Sequence, residues 1–420
     1  MNPPTATTGI DAGKTHAAVI IPTAAFTESK RGKPAWRSAG VELTITNTRA
    51  DFEKLTDAMP PGSPAFIEPV GYYATALIEY LSTHGHPVYY VPGTTTKAAR
   101  PALHYTSSND RTDARTLAAI GWLHLTTGQY PCRKADERSD LDSYLLAIAR
   151  QLDQATRDCT RTINRTRQIM HAIAPELEEL TPILLGAPTQ QAPHRPRPNL
   201  LAAYPDPREL ANLTDDQLHA NLPTRNARDH MRAAAATTIG SRSPYLQIAL
   251  ATQAAAYSAH LAQRLTALSL LEEAAHHHPL YALLSTIPSI SDASIAVLAG
   301  VIGDIANFNN KQQMRVALGT YTHRHQSGTS VDEAKTGNKG NRLAKRIIYL
   351  LAMSLIARKR GAIYETYQRR KSAGRDHNIA NSRRQIADRI YAMLKANEPW
   401  NDELRPETEE EEEEGERGNK

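Results

Sequence analysis

The chain has 420 residues, 40% hydrophobic and 22% charged, enough for a sizeable core and for two or three domains. No run of about 18 apolar residues occurs, and the amino terminus MNPPTATTGIDAGK lacks a signal-peptide layout, so the expectation is a soluble, cytoplasmic protein with no membrane partner. A net charge of +5 points to an anionic partner, and two cysteines, Cys132 and Cys159, exclude a zinc-thiolate cluster and make a disulfide framework a poor fit.

In chain order, residues 1–125 alternate strand-like and helix-like patterns. Apolar runs at 8–11, 17–21 and 41–46 read as strands, followed by a polar helix from Asp51, a strand at 65–68, a helix at 73–83 and a strand at 86–91. Three early strands followed by strand and helix in turn suit an α/β ribonuclease-H-like sheet. Residues 126–280 form a helical spacer. Its two long periodic stretches, 136–174 and 245–275, suit an antiparallel hairpin or a coiled coil between subunits, and the Pro-rich 181–210 segment reads as an irregular insertion. A mostly α-helical domain follows at 281–400, and 401–420 is an acidic tail expected to be disordered.

Charge is divided unevenly between the last two parts. Residues 281–395 carry 19 Lys and Arg against 7 Asp and Glu, a net of +12, while 401–420 carries ten acidic and three basic residues. Such a basic segment attracts nucleic acid, the alternative being a solvated helical surface.

Four carboxylates stand out in the first part: Asp11 in TTGIDAGK, Glu68 in PAFIEPVG, and Asp110 and Asp113 in SSNDRTDARTLA. The first two close short apolar runs, so strand ends would aim them, and the last two are three residues apart on one helix face. Each has a plainer reading. Asp110 and Asp113 suit the first turn of a helix, Asp11 suits a turn before Gly13, and Glu68 suits a strand end beside Pro69. Taken jointly, their order is that of an acidic set that repels itself unless cations neutralise it, as a pair of Mg²⁺ ions acting on a phosphodiester would.

In the last part, HRHQSGTS reads as an exposed loop in which Ser327 precedes Gly328, either a turn residue or a nucleophile that backbone can bring close to substrate. His323 and His325 are surface polar residues in one reading and carry no catalytic role here. TGNKGNRLAKR, with Lys339, Arg342, Lys345 and Arg346, reads as a glycine-loosened, phosphate-gripping turn entering a basic helix.

The D…E…D-x-x-D order, the phrases VPGTTTKAAR and NDRTDARTLA, and the later IGDIANF, ALG, QSG and GNKGN-x-L together resemble the transposases of the insertion sequence 110 family, relatives of the Piv-type DNA invertases. The resemblance covers about residues 8–125 and 281–395, in family order. It implies a RuvC-like domain in which Asp11, Glu68, Asp110 and Asp113 bind Mg²⁺, two ions in all, and a transposase domain in which Ser327 is the nucleophile on DNA. Lys97, Arg100, Arg324, Lys339, Arg342, Lys345 and Arg346 are then the candidate nucleic-acid contacts. It further implies a composite site shared between subunits of a dimer or tetramer, element-end and target DNA as partners, a structured guide RNA, and association with the nucleoid.

Two features depart from the family pattern. A P-G-I-G turn is common there, whereas Pro288-Ser289-Ile290-Ser291 stands here, which implies that DNA is gripped differently at that turn or that the turn is structural only. The Pro-rich insertion and the acidic tail have no family explanation, and the tail is a candidate competitor of nucleic acid for the basic domain. A RuvC-like structure-selective endonuclease using the carboxylates and water, and an inactive domesticated nucleic-acid-binding protein, are the alternatives. The first would survive loss of Ser327, and the second would bind equally well after Asp11→Ala.

Overall fold

The structure, a computed structural model, describes residues 6–22, 29–30, 33–34, 40–69, 71–103, 109–130, 132–135, 139–189, 192–327, 331–336, 340–374 and 378–403. Two compact units divide the chain, Met1–Ser139 and Asp140–Lys420.

The first unit is built on a mixed sheet. Its strands are β1 (Thr8–Ala12), β2 (Ala17–Ile21), β5 (Val41–Ile45), β6 (Ala65–Ile67), β7 (Val88–Tyr90) and β8 (Arg133–Lys134), with β3 (Ser29–Lys30) and β4 (Lys33–Pro34) pairing separately. The spatial order is β5-β2-β1-β6-β7-β8. Strand β2 runs antiparallel to both β1 and β5, β6 and β7 run parallel to β1, and β8 closes the edge antiparallel to β7. Side chains alternate between faces, so Ile10, Val19 and Ile67 pack one way, against Leu55 of α1 (Arg49–Ala58) and Leu77 and Leu81 of α2 (Thr75–Thr83). Phe66 packs the other way, against Ala99 of α3 (Gly93–Ala102) and Leu117 and Ile120 of α4 (Asp110–Thr127). Both faces are therefore covered by helices, as an α/β unit requires.

Among the described residues, the regular structure of the second unit is helical apart from one hairpin. Helices α5 (Asp140–Ile173) and α10 (Pro244–Ala275) are about 50 Å long at 1.5 Å per residue and lie antiparallel. Their sense follows from the packing. Leu145 and Ile148, near the start of α5, share a core with Leu271 and Ala275 at the end of α10, whereas Met170 and Ile173 share another with Leu250 and Tyr257. Within one chain, then, the two stretches form the hairpin.

Between them, 181–210 is more ordered than its composition suggests. It contains α6 (Thr181–Leu184) and α7 (Leu200–Ala203), and α8 (Asp215–His219) and α9 (Arg225–Thr237) follow. Leu184, Leu185, Leu200, Leu201 and Leu210 are buried in the same core as Met170 and Tyr257. Buried Asn221 donates through Nδ2 to the carbonyls of Ile183 (2.6 Å) and Pro198 (2.9 Å), which ties the start of the Pro-rich stretch to its middle. Prolines that cannot extend a helix leave their neighbouring leucines free to pack from irregular backbone, so the segment forms core without periodicity.

The carboxyl-terminal part comprises α11 (Tyr281–Leu284), α12 (Asp292–Ile302), α13 (Lys311–Ala317), the β9–β10 hairpin (Thr322–Ser327 with Val331–Thr336), α14 (Arg342–Ala357), α15 (Ala362–Ser372) and α16 (Asn378–Ala396). Every residue of α12 from Ile295 to Ile302 is buried, which makes it the central helix. A bidentate pair joins α13 to α16, with Arg315 Nε and Nη2 each 2.6 Å from the Asp388 carboxylate. After α16 the chain is clamped at Asp402. That carboxylate accepts from Trp400 Nε1 at 2.9 Å and from Arg358 at 3.3 Å, and its carbonyl accepts from Ala362 N at 3.0 Å. The acidic run from 404 onwards lies outside the described residues. Among those residues no helix is long and apolar enough to cross a membrane.

Candidate functional site

The four carboxylates of the first unit are carried by adjacent elements. Parallel pairing sets Ile10 opposite Ile67 on strands about 4.8 Å apart, so the next residues along the chain are Asp11 on β1 and Glu68 just past the end of β6. Ile10 and Ile67 face α1 and α2, and alternation therefore turns Asp11 toward the α4 face. Helix α4 lies directly on that face because Gly9 has no side chain: a Cβ there would stand 1.9 Å from the Ala114 carbonyl oxygen and 2.5 Å from the Ala118 nitrogen. Thr7 Oγ1 donates to the Ala118 carbonyl at 2.8 Å and fixes the contact further.

The start of α4 is equally well defined. Asn109 caps it in a capping box, accepting from Thr112 N at 2.9 Å while Thr112 Oγ1 accepts from Asn109 N at 3.1 Å. Asp110 and Asp113 occupy the first turn, where the positive end of the helix dipole favours them. Glu68 packs against the start of α3, where a Cβ on Gly93 would come within 3.1 Å of Glu68 Oε2.

Charge is concentrated here. The Asp11 carboxyl is pushed up to about 6, first by burial and then by the negative charges of Asp113, Asp110 and Glu68, with Arg100 opposing them. Asp11 thus feels all three of the other acidic residues. Two of those have basic neighbours: Arg100 Nη2 lies 2.7 Å from Asp113 Oδ1, and His16 Nε2 lies 3.5 Å from Asp110 Oδ2. Among the described residues no three His, Cys, Asp or Glu side chains close into a preformed metal cage. The donor set nonetheless fits a divalent cation of hard character: it is all oxygen, and it carries an acidic group whose ionisation the neighbouring negative charges disfavour.

In the second unit, Ser327 is the last residue of β9 and pairs in register with Val331, and Arg324 in the same strand pairs with Ala334. Residues 323–327 of the stretch expected as an exposed loop therefore belong to the first strand of a hairpin, and Thr322, Val331 and Thr336 are residues that suit extended backbone. Gly328, Gly337 and Lys339 lie outside the described residues. The basic turn is anchored at its helix end. Gly340 has φ +93°, a Cβ there would stand 2.2 Å from the Val316 carbonyl oxygen, and Asn341 Oδ1 accepts from Leu343 N (2.9 Å) and Ala344 N (3.2 Å) to cap α14. Arg342 and Arg346 are exposed on α14 and Lys345 is half-buried, its stem against Gly319. Arg346 also pairs with Asp153 at 3.2 Å.

Lys97 and Arg100 share α3, with Lys97 exposed and Arg100 turned to Asp113. Sequence reasoning grouped Arg100 with phosphate contacts and did not find its carboxylate partner or that of His16. The spacing of Gly93 and Arg100 on one helix was the available signal, but only the packing of α3 shows which carboxylates it meets. Within the turn that departs from the family pattern, the two serines take different conformations. Ser289 adopts φ +63°, the conformation a glycine would take there, whereas Ser291 is extended and caps α12 by accepting from Ser294 N at 3.3 Å.

Comparison with known proteins matches both regions. A model described as the transposase IS116/IS110/IS902 family matches residues 281–368, and a second transposase model, of the Asp-Glu-Asp-Asp domain of IS110, matches residues 8–175. The insertion element IS110 uncharacterized 43.6 kDa protein of Streptomyces coelicolor is 24% identical over 322 residues, covering 74% of this chain and 76% of that relative. With both regions matched in the same order along the sequence, the chain belongs to the IS110 family of transposases.

Proposed function

We propose that this transposase excises and inserts its own element by cutting and rejoining DNA phosphodiesters through a serine-linked intermediate. The observation that carries the reading is the electrostatic convergence of Asp110, Asp113 and Glu68 on Asp11 at the ends of β1 and β6. The strand order β5-β2-β1-β6-β7, three antiparallel strands continued by two parallel ones, supports a ribonuclease-H-like, RuvC-like domain for residues 1–125. Residues 126–280 then serve as spacer and 281–400 as the transposase domain.

Asp11, Glu68, Asp110 and Asp113 would hold Mg²⁺, in two ions by family resemblance, and its chemistry there would be charge neutralisation at the scissile phosphate. Ser327 Oγ would form a bond to phosphorus as the bond from phosphorus to a deoxyribose oxygen breaks. The serine hydroxyl loses its proton, the departing oxygen gains one, and the phosphoester linkage is kept for rejoining. Arg324, Lys339, Arg342, Lys345 and Arg346 would contact phosphates of element-end and target DNA, and Lys97 would do so from the first domain. A structured guide RNA encoded by the element, a dimer or tetramer in which the two domains act together, and a cytoplasmic, nucleoid-associated setting complete the reading.

Purified protein incubated with labelled element-end DNA and Mg²⁺ tests it. An adduct stable to denaturing detergent is expected for wild type and absent for Ser327→Ala or with EDTA. Cleavage that persists in Ser327→Ala without an adduct would instead establish hydrolysis by the carboxylates alone.

A further inference from the structure

The carboxylate site includes a cation of its own. Arg100 reaches Asp113 at 2.7 Å with both side chains largely withdrawn from solvent, 20% and 18% exposed. Of the charges acting on Asp11, three carboxylates raise its pKa and Arg100 lowers it. Helix α3 is held in place for this: Ala99 is buried against Val91 and Leu117, and Gly93 lets the Glu68 carboxylate lie against the helix start. One helix therefore touches two of the four acidic residues, Glu68 at its first turn and Asp113 at its last.

The Arg100 guanidinium occupies the Asp113 oxygen that a bound cation would take, so a competing cation must displace it. A divalent ion has twice the charge and binds carboxylate oxygen directly, which gives it the advantage for that oxygen. We propose that Arg100 is the positioning residue of the carboxylate site, holding Asp113 in place beside Asp11 and yielding it to the divalent cation on binding. This inference rests on the metal-binding reading given above.

Thermal unfolding of the full chain, titrated with Mg²⁺ from an EDTA-treated start, tests it without recourse to activity. Arg100→Gln is expected to shift the Mg²⁺ midpoint to roughly 3–10-fold lower concentration, because the competitor for Asp113 is gone, and to lower the melting temperature in EDTA. Arg100→Lys, which keeps the charge, should stay near the wild-type midpoint and also covers the case in which the glutamine variant does not fold. In an Asp113→Asn background the Arg100→Gln shift should vanish, a coupling that a merely structural role would not produce. An unchanged or raised midpoint in Arg100→Gln, or equal shifts in both backgrounds, overturns the proposal while leaving the metal site standing. A wild-type chain as indifferent to Mg²⁺ as Asp11→Asn would remove the metal reading itself, and this inference with it.

Discussion

Asp11 sets the electrostatic character of the first unit, and its raised pKa has a definite sign in stability. The unfolded carboxyl ionises near 3.8 while the folded one holds its proton to about 6, so between those values the folded state binds more protons. The contribution of Asp11 to the stability of the metal-free chain is therefore most favourable below about pH 4, falls as pH rises to about 6, and is level above. Asp11→Asn removes that loss and should raise stability at pH 7 in EDTA by about 1 kcal/mol, a figure reduced for solvent screening of a partly exposed group. Urea denaturation at pH 4 and pH 7 measures both effects, and equal destabilisation at the two pH values would contradict them. Ser289 offers a second test at this scale. Its φ of +63° is a conformation that costs a side-chain-bearing residue about 1 kcal/mol, so Ser289→Gly should stabilise the chain by up to that amount, read as a higher urea midpoint.

Secondary-structure elements, more than individual side chains, decide whether the carboxylates meet. Gly9 lets α4 lie on β1, and Gly121 makes room for Phe66 beneath the same helix, a Cβ there falling 2.2 Å from the ring. Gly9→Ala should therefore cost about 3 kcal/mol or more, since the atom it would strike is helix backbone, and should lower the melting temperature read by circular dichroism. The order of strands and the first turn of α4 were legible in the sequence because apolar runs and the D-x-x-D spacing are local signals. The partners of those acidic residues were not, because Arg100 and His16 reach Asp113 and Asp110 from a separate helix and a turn. Two stretches read as loops carry structure for a common reason: neither shows helical periodicity, yet the leucines near 184, 200 and 210 fill a core and 322–327 pairs with 331–336.

Across the whole molecule the sequence divides its charge, with a strongly basic carboxyl-terminal region and a tail of opposite sign. Asp402, near the start of that tail, is held on Arg358 and the start of α15. Deleting residues 406–420 removes eight glutamates and should tighten nucleic-acid binding at least about 3-fold at low salt, with the difference fading as salt screens it. Equal affinity with and without the tail at low salt would show that it does not compete. The long antiparallel pair α5 and α10 was legible from apolar spacing, while its intramolecular sense came only from which ends share a core.

Excision in cells bears most directly on the proposed chemistry. Cells carrying the gene within its native flanking DNA can be assayed by PCR for the circular junction, with wild type, Asp11→Ala and Ser327→Ala compared at matched protein levels. A junction product from wild type alone is the predicted result, since the carboxylates and the serine are both required. A junction of undiminished yield from Ser327→Ala would contradict the serine-linked mechanism.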